Sequence, residues 1–228
     1  MKKLLLASVG AICISFAGAA EAAVSLSMRV FEDNILALTQ SSATGTLVTT
    51  GNTANFSVTT TAFGTPAIPS PSFLANSTSI SSGNFTGTHT IRVEFTQTGL
   101  DSSTAGGLAA LLGSTFTANF LVNGPLVTNL VLTTFVDALD RPFERATQLA
   151  TQTYLTGPTR DSGLITTSVS LPNATFSETV VVSATFTGGG AGLQNSVQIV
   201  RVPEPASMML FGTALLGLGL VRRLRREA

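Results

Sequence analysis

The stretch Thr179-Val180-Val181-Val182-Ser183-Ala184-Thr185-Phe186 decides the fold class. Val180, Val182, Ala184 and Phe186 share one parity and Thr179, Val181, Ser183 and Thr185 the other, which is the two-residue period of a strand with one buried face. β-Branched side chains suit that pleated, half-buried surface and lose rotamer freedom in a helix. The same alternation sets Val24, Leu26, Met28 and Val30 against Ser25, Ser27 and Arg29, and Ile91, Val93 and Phe95 against Arg92, Glu94 and Thr96. Val197 and Ile199 against Gln198 and Val200 continue it.

Further strands are predicted over residues 46–50, 54–63, 115–122, 126–135 and 164–171. Turn chemistry separates them at Gly51-Asn52, residues 66–71, Ser82-Gly83-Asn84, Asn123-Gly124-Pro125, Gly157-Pro158, Pro172-Asn173 and Gly188-Gly189-Gly190. Many short strands at this spacing predict an all-β, antiparallel β-sandwich of jelly-roll or Ig-like form, one domain over residues 23–201. Two segments depart from the pattern. Leu108-Ala109-Ala110-Leu111-Leu112, entered from Asp101-Ser102-Ser103 and closed by Gly113, predicts a short helix, and residues 141–155 read as loop with room for a helix. The Ser/Thr-rich runs 41–61 and 70–90 read as compositional bias, in part flexible.

The two ends are of another kind. Lys2 and Lys3 precede an apolar stretch over 4–17, and small residues follow, which predicts a signal peptide over residues 1–22. Ala20 and Ala22 supply the cleavage site and Ala23 becomes the first mature residue, with the Sec translocon and signal peptidase as implied partners. The only cysteine, Cys13, is then discarded, so the mature chain has no thiol ligand or disulfide. At the other end Val202-Pro203-Glu204-Pro205 leads into Ala206 and Ser207, an apolar run over 208–221, and Arg222, Arg223, Arg225 and Arg226. A helix of that run spans about 21 Å against a hydrocarbon core of about 30 Å. Snorkelling arginines extend it, and as stop-transfer residues they hold the C-terminus in the cytoplasm with the body outside.

Those basic ends make the whole chain formally neutral. Residues 23–201 hold six arginines, nine acids and no lysine, a net charge of −3. An acidic, lysine-free body offers no footprint for nucleic acid.

The body shows no catalytic constellation. His89 is the only histidine, so no imidazole pair can bind a metal, and Gly87-Thr88-His89-Thr90-Ile91 reads as a strand entry. No serine sits in a Gly-x-Ser-x-Gly elbow. Asp137, Asp140 and Glu144 are the densest acids, but they lack the glycine of a calcium loop and are neutralised by Arg141 and Arg145, which predicts a solvated, salt-bridged turn. Gly188-Gly189-Gly190-Ala191-Gly192 has no following Lys-Ser/Thr and reads as a flexible hairpin loop. Asn55, Asn76, Asn84 and Asn173 head Asn-x-Ser/Thr triplets, which chance supplies readily in a chain this rich in Ser, Thr and Asn. No catalytic, cofactor or metal residue is assigned.

The order Val-Pro-Glu-Pro-Ala-Ser, apolar helix (206–221) and arginine cluster (222–226) closely resembles the PEP-CTERM sorting signal. The resemblance covers residues 202–226 and is silent on the body. It implies recognition by an exosortase, a transpeptidase-like membrane enzyme cutting near residues 203–205, so that Val202, Pro203, Glu204 and Pro205 are substrate. It further implies transient residence in the inner membrane of a Gram-negative bacterium, then the cell surface or extracellular matrix, with exopolysaccharide as a further partner. The expected function is a non-enzymatic structural or adhesive matrix protein. A carbohydrate-binding module is the alternative, disfavoured by the absence of Trp and the single Tyr154, and a secreted hydrolase ranks third.

Overall fold

A computed structural model describes residues 24–155, 157 and 159–203. They build thirteen strands: β1 (Ser25–Glu32), β2 (Ile35–Ser42), β3 (Thr46–Asn52), β4 (Phe56–Gly64), β5 (Ser72–Ser82), β6 (Thr86–Asp101), β7 (Ala110–Val122), β8 (Val127–Asp137), β9 (Thr147–Tyr154), β10 (Arg160–Asp161), β11 (Ile165–Val169), β12 (Thr175–Gly188) and β13 (Gly192–Arg201). One sheet has the order β2-β1-β6-β12-β8-β9 and the other β10-β7-β13-β5-β4-β3, with β11 also on β7. All the pairings are antiparallel. The predicted all-β antiparallel sandwich is the observed architecture.

The inner faces follow the predicted alternation. Val180, Val182, Ala184 and Phe186 are fully buried, and the core they share includes Leu26, Met28, Val30, Ile91, Val93 and Phe95 from the neighbouring strands. Val58, Leu74, Ile80, Leu193, Val197 and Ile199 face them from the other sheet. Phe56 meets Phe186 at a ring-centroid distance of 5.0 Å and Phe73 meets Phe176 edge-on at 5.7 Å, joining strands of opposite sheets. The interior also holds polar groups: Ser114 and Thr134 hydroxyls hydrogen-bond at 2.7 Å, and Thr60 and Thr78 at 2.9 Å.

Four expectations are corrected. Residues 108–112 are not a helix: a one-turn α1 (Ser102–Ala105) comes earlier, with Asp101 accepting from the Ser103 amide as its cap, and a 3-10 turn (Gly107–Ala109) hands the chain to β7. Pairing of residues 110–112 with β11 and β13 outweighs the helix propensity of Leu and Ala. Residues 147–154, read as loop, form β9 at a sheet edge. The 41–61 and 70–90 runs hold β3, β4 and β5 in regular register rather than a flexible tract. The glycine loop is not a hairpin either, because β12 and β13 lie in different sheets. It docks: the Gly190 amide donates to Ser82 and Gly83 carbonyls, and a Cβ on Gly189 would lie 2.0 Å from the Gly83 carbonyl oxygen.

Among the described residues no helix is long and apolar enough to cross a membrane. The predicted signal peptide (1–22), Ala20, Ala22 and Ala23, and the tail from Glu204 onward, with Pro205, the apolar run and Arg222, Arg223, Arg225 and Arg226, lie outside the described residues.

Candidate functional site

Outward parity on β1 and β6 brings unlike residues into register. Arg29 stands opposite Glu94, and Phe31 opposite Arg92. Glu94 is buried and accepts from Arg92 Nε at 2.8 Å and from an Arg145 Nη2 brought over by the β8–β9 connection. Arg92 also donates to Asn34 Oδ1 at 2.7 Å. Each of the three arginines lies over a phenylalanine: Arg29 over Phe143 at 3.9 Å from the ring centroid, Arg92 over Phe31 at 4.2 Å and Arg145 over Phe135 at 5.9 Å.

The β8–β9 connection is tied onto this face. Asp137 accepts from Arg141 Nε at 2.8 Å and from the Arg141 and Leu139 amides. Asp140 accepts from the Gly99 amide at 2.8 Å, and the Phe143 amide donates to Thr96 Oγ1 at 3.2 Å. Asp140 and Phe143 adopt positive φ, of 58° and 59°, which turns the segment back over the sheet. The expected solvated turn is salt-bridged but not solvated at its base, since Asp137 is only 3% exposed. Burial pushes its carboxyl up, but the hydrogen bonds from Arg141 and Leu139 outweigh that and hold it below the usual carboxylate range.

A second cluster closes the far end of the sandwich. The β1–β2 turn carries Asp33 and Asn34 at φ of 49° and 68°, as a two-residue primed turn requires. Asp33 accepts from the Thr90 amide at 2.8 Å and lies 2.7 Å from His89 Nδ1, and these contacts hold its carboxyl below the usual range. Glu32 accepts from the Asn55 amide and side chain. Glu32, Asp33 and His89 could offer three ligand atoms within 4.8 Å of one another, but each is engaged in tying turns to strands. His89 lies in β6, as its strand-entry reading expected, and serves as a latch to the hairpin.

Tyr154 is buried, its hydroxyl donating to the Phe116 carbonyl at 3.1 Å. Of the triplet asparagines, Asn76 is buried and Asn55 donates to Glu32, whereas Asn84 is exposed. A cleft of about 450 Å³ opens at the edge between the sheets, lined by Gln152, Thr153, Tyr154, Leu155, Arg160 and Asp161.

The body's exit is well defined. The Arg201 amide donates to Pro71 at 2.7 Å and the Val202 amide to Leu111 at 2.8 Å, and the next residue, Pro203, is exposed. Ser25 pairs with Thr98 and Arg201 with Leu112, the two sides of the short α1 connection, so both ends of the body leave from one end of the sandwich.

Comparison with known proteins bears first on that exit. Residues 201–226 match the PEP-CTERM protein-sorting motif, which marks a chain for export and exosortase processing. No curated protein sequence matches the chain. Among solved structures it is similar to the CBM22-1 xylan-binding domain from Paenibacillus barcinonensis Xyn10C, at 11% identity and a TM-score of 0.32, covering 68% of this chain and 90% of that one. It is also similar to TmCBM61 in complex with β-1,4-galactotriose, at 8% identity and 0.31, covering 65% and 90%. A third is the C-terminal family 22 carbohydrate-binding module of Clostridium thermocellum Xyn10B, at 12% identity and 0.30, covering 64% and 84%. Likeness at this level bears on neither ligand nor site.

The arginine–phenylalanine face was not predicted from the sequence. Its signal was the parity that placed Arg29 and Phe31 outward on β1 and Arg92 and Glu94 outward on β6, but the part played by residues 143–145 depends on a fold-back that no local pattern announces.

Proposed function

We propose that this is a non-enzymatic structural or adhesive protein of the cell surface or extracellular matrix. In this reading Sec-dependent export removes residues 1–22, the 206–221 helix holds the chain briefly in the inner membrane, and an exosortase cuts near residues 203–205 to deliver the β body. The tail match at residues 201–226 carries the proposal. The position of the exit supports it: the chain is tied to the body through Val202 and free to be handled from Pro203. Proline also keeps the residue before it extended, as a peptide bond entering an enzyme needs to be. In this reading residues 23–201 make up a single domain, and the repeated passage of its described strands between two sheets supports the jelly-roll form over the Ig-like one.

A carbohydrate-binding module remains the second reading, favoured by the arginine–phenylalanine face. Deleting the gene tests the primary one. The matrix role requires a change in aggregation, biofilm or surface composition, and a mutant indistinguishable in all three sinks it.

A further inference from the structure

Arg29 is the odd member of its face. Glu94 is shared by Arg92 and Arg145, Asp137 and Glu144 are taken up by Arg141, and Asp140 is held by the Gly99 amide. Arg29 stands directly opposite Glu94 yet forms no ion pair or hydrogen bond among the described residues, its guanidinium carbon lying 3.9 Å from the Phe143 ring centroid. A guanidinium placed against a ring, with N–H donors unspent among the described residues, is a ready bidentate partner for a carboxylate. Past the Arg92–Phe31 pair the outer face of β6, β12, β8 and β9 continues as half-buried Thr90, Ser183, Thr185 and Asn129 and exposed Thr153, the Thr90 and Thr185 hydroxyls bonding each other at 3.2 Å. Small hydrogen-bonding groups on the same face as a guanidinium without an ion-pair partner among the described residues match a chain of hydroxylated rings that carries carboxylates.

We propose that the part of the outer face of the six-stranded sheet left uncovered by residues 138–146, from Arg29 on β1 toward the hydroxyls of β6 and β12, binds a carboxylate-bearing polysaccharide, with Arg29 gripping the carboxylate and the Ser/Thr groups meeting sugar hydroxyls. The inference rests on the body's delivery outside the cell, where such a chain would be met. An extended acidic peptide offers the same carboxylates, but it also needs backbone partners or side-chain pockets, whereas this face presents hydroxyls.

The full chain, purified in a non-ionic detergent, is titrated with polygalacturonate, with xylan as the neutral comparator and polyglutamate as the acidic peptide. Polygalacturonate is expected to bind in preference to both, with affinity falling as salt rises. Arg29→Gln should weaken it about tenfold, as loss of a charged hydrogen-bonding partner does, while Arg160→Gln, at the sandwich edge, should leave it unchanged. Because the Arg29 guanidinium makes no hydrogen bond among the described residues and the variant gives up its contact with the Phe143 ring, the variant should melt only a little below the parent, and a conservative Arg29→Lys should restore only part of the binding. The proposal is overturned if the chain does not prefer polygalacturonate to xylan, if Arg29→Gln and Arg160→Gln behave alike, or if polyglutamate binds equally with the same dependence on Arg29. None of these results touches export, which fractionation of cells tests separately.

Discussion

Glu178 stands in register with Gln97 across the β6–β12 ladder, both side chains fully buried, and neither carboxylate oxygen of Glu178 nor Gln97 Oε1 has a hydrogen-bond partner among the described residues. Burial pushes the Glu178 carboxyl well above its usual range. The neutral acid is thus the form that suits this core. A carboxyl raised on folding contributes stability that is fully present below the ordinary carboxylate range and lost as pH rises through the folded value. Glu178→Gln should therefore raise the melting temperature at pH 8, by a gain on the order of 1–2 kcal/mol, and the gain should vanish near pH 3. Thermal melts of both proteins across that range check it, and a variant less stable than the parent at pH 8 would contradict it.

Asp137 should show the opposite slope. Its carboxyl is held low by Arg141 despite burial, so its contribution is present above the ordinary carboxylate range and is lost as pH falls. Asp137→Asn should cost about 1–3 kcal/mol at pH 7, since it loosens a buried acceptor from Arg141 and two amides. Denaturant titrations at pH 7 and pH 3 should find that difference shrinking in acid. An equal loss at both would assign the effect to packing alone.

The connection between β12 and β13 separates a docked loop from a flexible one. Gly189→Ala would push a Cβ to 2.0 Å from the Gly83 carbonyl oxygen and 2.7 Å from the Phe85 amide nitrogen, both backbone atoms. The expected cost is about 2 kcal/mol or more. Gly188→Ala, whose nearest neighbours are Leu126 methyls at 3.7 Å, should cost about 1 kcal/mol or less. Equal tolerance at the two positions, measured by denaturant midpoint, would restore the flexible reading.

Strands whose inward residues are apolar were legible from their period alone. β5 was not, because its inward set includes Asn76 and Thr78 between Leu74 and Ile80, and hydroxyl and amide groups blur the alternation. β2 escaped because an exposed edge strand has no buried face to impose a period, with Ile35 and Leu36 themselves exposed. In β9, Leu149 and Ala150 are both buried although adjacent, where the register shifts between Thr134 and Phe135 of its neighbour. Glu178 was foreseeable in part: it shares parity with Val180 and Val182, and that parity points inward. The covering of Thr96, Thr179 and Val181 on the outer face was not, since it depends on the fold-back of residues 138–146.

The central claim is that the β body is a processed product delivered outside the cell. Mass spectrometry of intact protein from culture medium, surface extract and inner membrane tests it most directly. The account predicts a dominant extracellular or surface species that begins at Ala23 and ends between Val202 and Pro205, any attached group being visible as added mass at that end. An intact chain ending at Ala228 and confined to the inner membrane would contradict it.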